Sequence, residues 1–535
     1  MKRERLYLIT RNAKKASGGL QRAFCSVFLA AAVVAAAGPV VPPRVNQAST
    51  MLSKAAPGNI ILVTNTNDSG PGSLRGALAI ANEGDTVDAT GISGTILLTS
   101  GELQIAHNVF INGPGAGSLA INGHATFRVF KNFASNVTIS GFTITNGFAA
   151  DNNGGGGILN HGGLTLTNSI VSNCATPSRN NQKGGGIFND AGATLTLTSS
   201  TVSGNRAGCE GGGIYSSNAQ LTVTNSTISN NGACGCSLVL HCTGSGGGIS
   251  MHGGTLEVTN SMISGNHAGG GGGISSDSVM VTVSNSTISG NVGVCSGGGI
   301  SSGNGQLTVI NSTISGNLSG GDAGICEQGV GGGISSYAEN LTVTNSTISG
   351  NSAIYGGGIA NGGNLTVTNS TVSGNEGGGV HIFQGAAQIG DTVLNAAEFG
   401  GTIQNQGGTV TSLGYNLASD NGGGALTGTG DQINTDPLLG PLQNNGGPTL
   451  THRPLSGSPA IDTGDPSFTP PPFFDQRGPD FDRVVNGRLD IGSFEVQNGK
   501  PTPTPTTTPT VTATATATAR PSLTPRPRPT PVPRL

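Results

Sequence analysis

The sequence predicts an all-β fold: a single-stranded right-handed parallel β-helix with a short N-terminal capping helix and a disordered Thr/Pro-rich tail. Three observations predict it. Glycine supplies 92 of the 535 residues, about one in six against a usual frequency of roughly 7%. A GGGI motif followed by LTVTNSTISGN, or a near copy, recurs from Gly155 to Asn375, mostly at steps of 25–29 residues, and such a period indicates a solenoid. Within each copy, aliphatic residues alternate with Thr and Ser, which is the period-two pattern of strands.

The composition argues against nucleic-acid binding. Charged residues make up 10% of the chain and aromatic residues 4%, Trp is absent, and the net charge is -3. The sequence therefore supplies neither a basic face nor stacking platforms for bases.

The first 37 residues are predicted to be a signal peptide. Seven Lys and Arg residues with a single Glu lie in residues 1–22, and an apolar run from Ala23 to Ala37 precedes Gly38. The alternative is an uncleaved anchor, because the apolar stretch is close to the length that spans a bilayer. We expect export to the extracellular space or the cell surface, a linker over residues 38–58 and no transmembrane span in the mature chain.

Residues 59–150 are predicted to form an N-terminal cap and the first coils. Ser73–Asn82 is the best helical stretch, with Leu74, Leu78 and Ala81 on one face. A helix suits this end of a solenoid, because unpaired strand edges at an open end invite polymerisation.

Residues 151–380 are predicted to form the repeat coils, each with three short strands and with equivalent residues stacked about 4.8 Å apart along the axis. We expect the Leu-x-Val strands to point inward, Ile288 to be buried and Thr282 to face outward. We also expect a ladder of stacked Asn amides, with N-glycosylation at Asn-Ser-Thr sequons as the less favoured alternative. The ladder consists of Asn168, Asn225, Asn260, Asn285, Asn311, Asn345 and Asn369, with sequons at Asn225, Asn285, Asn311 and Asn345.

Residues 381–497 are predicted to hold the last coils and a C-terminal region that covers them. The GGGI pattern decays after Val380, and the following segment up to residue 495 is rich in Pro and Asp. Residues 498–535 then change to Thr, Pro and Ala, a composition that cannot pack a core and predicts a disordered tail.

Three segments resemble families of bacterial surface proteins. The GGGI and ISGN motifs resemble the GGA[ILV] and FxxN repeats of polymorphic outer-membrane proteins. DSGPGSLRGALAIANEGDT, residues 68–86, is similar to the CSLREA-type N-terminal region of such proteins, with Gly72 in place of its Cys. DPLLGPLQNNGGPTLTHRPLSGSPAIDTGD and DQRGPDF with GRLDIGSFE, within residues 436–495, resemble the choice-of-anchor Q domain. The resemblance implies a cell-surface β-helix repeat protein with the pectin lyase-like architecture.

Seven cysteines follow the predicted signal peptide, and none has the spacing of a zinc site. Each lies between an ISGN-type segment and the next GGGI, so all seven, Cys174 among them, are expected at one corner of the β-helix. Coils one step apart lie within the Cα separation that a disulfide spans. The expected pairs join Cys209 to Cys234 or Cys236, and Cys295 to Cys326. We predict that the disulfide-pinned loops of this corner bind a partner, with a purely structural role for the staples as the alternative. The six candidates are Cys209, Cys234, Cys236, Cys242, Cys295 and Cys326.

A polysaccharide lyase or glycoside hydrolase is the competing prediction, because pectate lyases and polygalacturonases share this architecture. Fold alone does not decide between the two. No Lys or Arg lies between Arg206 and Arg453 to act as a lyase base, and no two repeat acids are aligned in adjacent copies for acid and base catalysis. The tripeptide Asn434–Asp436 matches polygalacturonases but lacks their Asp-Asp and Gly-His-Gly partners. We predict no catalytic residue and no cofactor.

Two sets of residues are candidate metal ligands. Four histidines lie in different repeats and, by inspection, at different registers, so we expect them to be solvated; they are His161, His241, His252 and His267. Six acids near the C-terminus offer oxygen ligands for calcium but lack its DxDxDG spacing. Turn and cap roles are the favoured interpretation, and we predict no metal site; the acids are Asp462, Asp465, Asp475, Asp480, Asp482 and Asp490.

The sequence thus predicts an exported, non-enzymatic protein whose loops bind a polysaccharide, a surface or another cell. Stacked Thr, Ser and Asn side chains can hydrogen-bond sugars, although the absence of Trp and the presence of five Tyr limit stacking against sugar rings.

Overall fold

The computed structural model of the protein describes residues 58–151, 153–178, 182–233, 244–320 and 329–497. The predicted signal peptide (1–37), nearly all of the linker (38–58) and the Thr/Pro-rich tail (498–535) lie outside the described residues. So do five of the candidate site residues, namely His241, Cys234, Cys236, Cys242 and Cys326.

Parallel strand pairing builds the described residues into a β-helix of about 13 coils, which confirms the predicted all-β fold class. A full coil carries three strands, here named a, b and c in chain order, and five neighbouring coils add a short strand d. Strands a and b share one 24-stranded sheet, the c strands form a 13-stranded sheet, and the d strands form a 5-stranded sheet. Equivalent strands of neighbouring coils pair with matching residues opposite one another, for example Ile263 opposite Ile288.

Strands of each class have the following bounds. The a strands are Leu103–Ile105, Phe130–Asn132, Ile158–Asn160, Ile187–Asn189, Ile274–Asp277, Ile300–Ser302, Ile334–Ser336, Ile359–Asn361, Val380–Ile382 and Ile403–Asn405. Two long strands run through both a and b; they are Ile214–Thr224 and Ile249–Thr259. The other b strands are Ile60–Leu62, Thr86–Asp88, Phe110–Asn112, Val137–Ser140, Gly163–Thr167, Thr194–Thr198, Val279–Ser284, Gly305–Ile310, Asn340–Thr344, Asn364–Thr368, Ala386–Gly390 and Thr409–Gly414.

The remaining strands complete the coils and the C-terminal region. The c strands are Gly94–Leu97, Leu119–Asn122, Thr143–Thr145, Ile170–Ser172, Thr201–Ser203, Thr227–Ser229, Met262–Ser264, Thr287–Ser289, Thr313–Ser315, Thr347–Ser349, Thr371–Asn375, Val393–Ala396 and Leu417–Ala418. The d strands are Arg206–Ala207, Gly232–Ala233, His267–Gly270, Val292–Ser296 and Leu318–Ser319. An antiparallel pair outside the coils consists of Leu439–Gln443 and Thr451–Pro454.

The predicted N-terminal helix is present as Leu74–Ile80. Ser73 caps it, because its Oγ accepts a hydrogen bond from the backbone N–H of Gly76 at 3.0 Å. Leu74 and Ala77 are buried in the hydrophobic core that continues through the coils. Among the residues that the structure describes, no helix has the length and apolarity required to cross a bilayer.

The predicted inward and outward positions of the strands are confirmed. Ile288 is fully buried and Thr282 is exposed. The glycine triplets allow the coils to stack, since Gly297 has a φ of +54° and a Cβ on Gly298 would lie 2.4 Å from the carbonyl oxygen of Leu318 in the next coil. Both positions therefore require glycine.

A continuous Asn ladder is present, but it is made by a different asparagine of each repeat from the predicted one. The predicted asparagines are buried only in the late coils, at Asn345 and Asn369, where Asn345 Nδ2 donates to Asn311 Oδ1 at 2.7 Å. Asn225 has a φ of +50° and faces solvent, because the left-handed bend between strands b and c turns its side chain outward. The buried ladder is made by the Asn that ends each ISGN motif, with amide-to-amide hydrogen bonds of 2.9–3.0 Å between successive coils. Its members are Asn205, Asn231, Asn266, Asn291, Asn317, Asn351 and Asn375. Burial in a ladder therefore gives no argument against glycosylation at Asn225.

The C-terminal region packs along the outer face of the c strands of the late coils. The Gln476 carboxamide accepts from Thr347 Oγ1 at 2.6 Å and donates to Thr313 Oγ1 at 2.9 Å. His452 Nε2 lies 2.8 Å from Ser349 Oγ. This region thus covers the side of the last coils by hydrogen bonding to their outward Thr and Ser side chains. At the C-terminal end of the coils, Leu426, which follows the 3-10 turn Gly422–Gly424, packs into the main core.

Candidate functional site

The corner between the d and a strands, which we call the loop corner, carries the predicted disulfides. Cys209 and Cys295 lie at this corner and are both disulfide-bonded. Their partners lie outside the described residues, so the two pairings stay predictions.

Cys174 does not project from the loop corner, and this part of the prediction is wrong. It occupies the position that Asn205 occupies in the next coil, and its side chain points into the hydrophobic core as a free thiol. Burial raises the pKa of the Cys174 thiol to about 12. Cys174 is therefore an inert core residue.

Beside the loop corner, the outward side chains of the early a strands form an aromatic patch. Phe133 is 50% exposed, and its ring stacks on the imidazole of His161 with centroids 5.3 Å apart. Phe188, which is half-buried, and Tyr215, which is buried, lie opposite each other in adjacent coils with centroids 5.0 Å apart. The patch consists of Lys131, Phe133, His161, Phe188, Tyr215 and His252.

An ion pair at the loop corner adjoins this patch. Lys183 Nζ lies 3.0 Å from a carboxylate oxygen of Glu210, 3.0 Å from the Tyr215 hydroxyl and 4.4 Å from the centroid of the Tyr215 ring. His252 Nε2 lies 3.0 Å from the same carboxylate. Four titratable side chains from three coils thus meet in one place.

The protonation states of the ion pair follow from these contacts. Burial alone would lower the pKa of Lys183, but hydrogen bonds to Tyr215 and Glu210 and the Glu210 charge outweigh it, so the pKa is raised. Burial alone would raise the pKa of Glu210, but hydrogen bonds from His252 and Lys183 and the Lys183 charge lower it. Both groups are therefore charged at neutral pH.

Two histidines of the patch share one row, which corrects the prediction of different registers. His161 and His252 each lie three residues after the Ile of their GGGI motif, and strand pairing places both in the same row, three coils apart. His161 Nδ1 lies 2.8 Å from the Asp190 carboxylate. His267 lies in a d strand, away from this row. The described histidines do not converge on a metal site.

A groove follows the other side of the loop corner. It consists of cavities of about 280 and 530 Å³ that share Phe148 in their walls. Arg128, which is 4% exposed, pairs with Glu102 and Asp151 in the first cavity, and Arg206 lines the second.

The groove and the patch meet at Gly154. Its carbonyl accepts a hydrogen bond of 2.9 Å from Arg128 Nη2, and a Cβ at this glycine would lie 2.7 Å from the Phe188 ring. The groove and the patch therefore both contact this buried glycine.

Sequence reasoning missed this site, although a signal for it exists. Lys183 and Glu210 immediately precede GGGI in consecutive repeats, and they pair as equivalent residues of adjacent coils. A comparison of the repeats that looks only for acids at equivalent positions overlooks a cation that pairs with a carboxylate.

The C-terminal acids divide into two groups. The carboxylates of Asp462 and Asp490 lie with that of Glu495 within 4.8 Å of one another, whereas Asp475 pairs with Arg477 at 2.6 Å. Asp490 and Glu495 each accept backbone N–H groups with both carboxylate oxygens. This arrangement joins chain segments, in keeping with the predicted turn and cap role, and calcium binding stays its alternative.

The other predicted acids lie apart from this cluster. Asp465 donates its backbone N–H to Asp391 Oδ1 at 2.9 Å. Asp480 lies in the turn that follows Arg477, and Asp482 forms a β-bridge with Phe474. Asp436 Oδ1 accepts the Leu438 N–H at 2.9 Å, so the Asn434–Asp436 tripeptide forms a turn.

Comparison with known proteins agrees with the architecture. Residues 90–246 and 243–436 match the family described as a right handed beta helix region. The crystal structure of pectate lyase Pel9A is similar with 12% sequence identity and a TM-score of 0.35, over 83% of this chain and 97% of that chain; a score this low carries no argument about function. No curated protein matches the sequence. Because the family match extends over more than half of the chain, the protein belongs to the right-handed β-helix family.

Proposed function

We propose that this protein is an exported, non-enzymatic β-helix protein that binds an extracellular polysaccharide through the loop corner and the aromatic patch beside it. The observation that carries the proposal is the aromatic patch beside that corner. Phe133, His161, Phe188 and His252 expose their rings from four of five successive coils, whereas the ring of Tyr215 is buried. A polymer lying along the axis would therefore meet several rings in turn. Apolar ring faces with polar groups at their edges suit sugars, which also combine apolar and polar faces.

The charges at the corner support binding over catalysis. A lyase base must lose its proton and a hydrolase acid must hold one near neutral pH. The pKa of Lys183 is raised and that of Glu210 is lowered, so the pair favours the opposite states. The two side chains hold each other and the Tyr215 hydroxyl in place.

Export is supported by the chemistry of the cysteines. Disulfide bonds such as those of Cys209 and Cys295 persist in oxidising compartments. This agrees with the predicted signal peptide over residues 1–37. We further propose that residues 68–86 and 436–495 correspond to the CSLREA-type and choice-of-anchor Q regions of bacterial surface proteins, with repeats like those of polymorphic outer-membrane proteins.

A polysaccharide array tests the proposal. The protein is incubated on immobilised polymers, and both its retention and the release of reducing or unsaturated ends are measured. We expect retention without release, and at least tenfold weaker retention for Phe133→Ala. The matched control is Phe399→Ala, which removes a 67% exposed ring outside the patch. Release of sugar ends would establish the lyase or hydrolase alternative, and equal retention of both variants would contradict binding at the patch.

A further inference from the structure

The charged side chains around the loop corner compensate one another. Among the described residues, four cations and four carboxylates lie in or contact the patch, the adjoining ion pair and the groove; they are Lys131, Lys183, Arg128 and Arg206, with Asp190, Glu210, Glu102 and Asp151. Their formal charges sum to zero.

Two of the four cations are held by carboxylates and a third lies over an aromatic ring, whereas Arg206 is exposed. Lys183 is held by Glu210, and the buried Arg128 is held by two carboxylates and by the carbonyls of Gly154 and Gly155. Lys131 Nζ lies over the Phe133 ring, 5.0 Å from its centroid. To bind these cations, the acid groups of a polymer would have to displace the carboxylates of the protein. A half-buried carboxylate that loses its cation is left unpaired, and this costs free energy.

We propose that the ligand of this surface is an uncharged polysaccharide. The inference rests on the proposed function and adds the chemical class of the polymer. The rings of Phe133 and Phe188 receive apolar sugar faces, and the paired charges at their edges exchange hydrogen bonds with sugar hydroxyls without a counter-charge.

Affinity electrophoresis with the full chain tests the class of ligand. Native gels contain either an uncharged polymer, such as a glucan, galactan or mannan, or an acidic one, such as polygalacturonate or alginate, at several NaCl concentrations. We expect at least one uncharged polymer to retard the protein. The apparent affinity should change by less than about twofold between 50 and 300 mM NaCl, because salt has little effect on a contact that neutralises no charge.

Glu210→Gln tests the role of the paired charges, because it removes the carboxylate that holds Lys183. It should gain salt-sensitive retardation by the acidic polymers, and Lys183→Gln/Glu210→Gln should lose that gain. Retardation of the wild type by acidic polymers alone, weakening as salt rises, would overturn the uncharged class while leaving polysaccharide binding in place. Absence of retardation in every gel would overturn both proposals.

Discussion

At the scale of single residues, the interior contains two kinds of stack that respond differently to substitution. Aliphatic side chains such as Ile288 contribute by burial alone, whereas the Asn ladder also hydrogen-bonds backbone N–H and carbonyl groups of neighbouring coils. Asn291 illustrates the second kind: its Nδ2 donates to Asn317 Oδ1 and to the Ile263 carbonyl, and its Oδ1 accepts from the backbone and side chain of Asn266.

Ile288→Asp should be severely destabilising. The side chain is fully buried, and a charge in this narrow core has no partner. Thr282→Asp, at an exposed position of the preceding strand, should change the free energy of unfolding by roughly 0.5 kcal/mol or less. Urea denaturation followed by circular dichroism compares the two, and equal losses would contradict the inward and outward assignment.

Asn291→Ala should cost about 3 kcal/mol. It leaves the backbone N–H of Asn266 and the carbonyl of Ile263 buried without their side-chain partners, at about 1–3 kcal/mol for each unsatisfied group. Asn225→Gly is the control, because Asn225 is exposed and glycine keeps its positive φ. If Asn225→Gly lowered the free energy of unfolding more than Asn291→Ala, the stabilising ladder would instead be formed by the Asn of the Asn-Ser-Thr motif.

These two asparagines show how far the sequence predicts the fold. Period two and the repeat length suffice to predict strands, coils and the burial of aliphatic residues. Each repeat contains two Asn with the same periodicity, however, and periodicity does not distinguish them. The difference arises from the backbone, since the positive φ at Asn225 turns its side chain outward, and Asn231 at the next bend points inward.

At the scale of elements, the loop corner brings together charged side chains from different coils. The a strands are spaced by one coil, so residues far apart in sequence, such as Lys183 and Glu210, become direct neighbours. Lys183 and Glu210 each replace the consensus residue in a single repeat. Their pairing becomes visible only when the repeats are aligned on the Ile of GGGI. The candidate site was therefore hidden from motif reasoning even though the coils themselves were predictable.

The cysteines provide a test at the same scale. In native protein, iodoacetamide should label neither Cys174, which is buried with a raised pKa, nor the disulfide-bonded Cys209 and Cys295. After denaturation without reductant, Cys174 should become labelled, and peptide mapping should recover Cys295 linked to Cys326. Labelling of Cys295 under those conditions would show that it is a free thiol and would contradict the predicted disulfide at this corner.

At the scale of the whole molecule, the first coils and the C-terminal region respond to pH in opposite ways. In the first coils, the pKa of Asp151 is lowered: burial would raise it, but hydrogen bonds from Asn153 and Arg128 prevail. Stability from that carboxylate is lost as pH falls through its folded pKa. Against the late coils, burial raises the pKa of Asp391 and Asp490 to about 6, and burial with the Asp490 charge raises that of Glu495 to about 9.

The C-terminal region should therefore become less stable as pH rises. A carboxyl whose folded pKa exceeds its unfolded value near 4 holds its proton more tightly in the folded state, so stability decreases as pH rises from about 4 through 6 and on to 9. After burial, the negative charge of Asp490 is the strongest influence that opposes ionisation of Glu495, and the charge of Arg483 favours it. Hydrogen exchange read by mass spectrometry, corrected for intrinsic rates, should show protection of residues 460–496 decreasing from pH 5 to pH 9. Glu495→Gln, which cannot ionise, should flatten that decrease. Protection that increases with pH in the wild type would show that Glu495 is ionised throughout and is held by its backbone N–H donors, Val485 and Asp490.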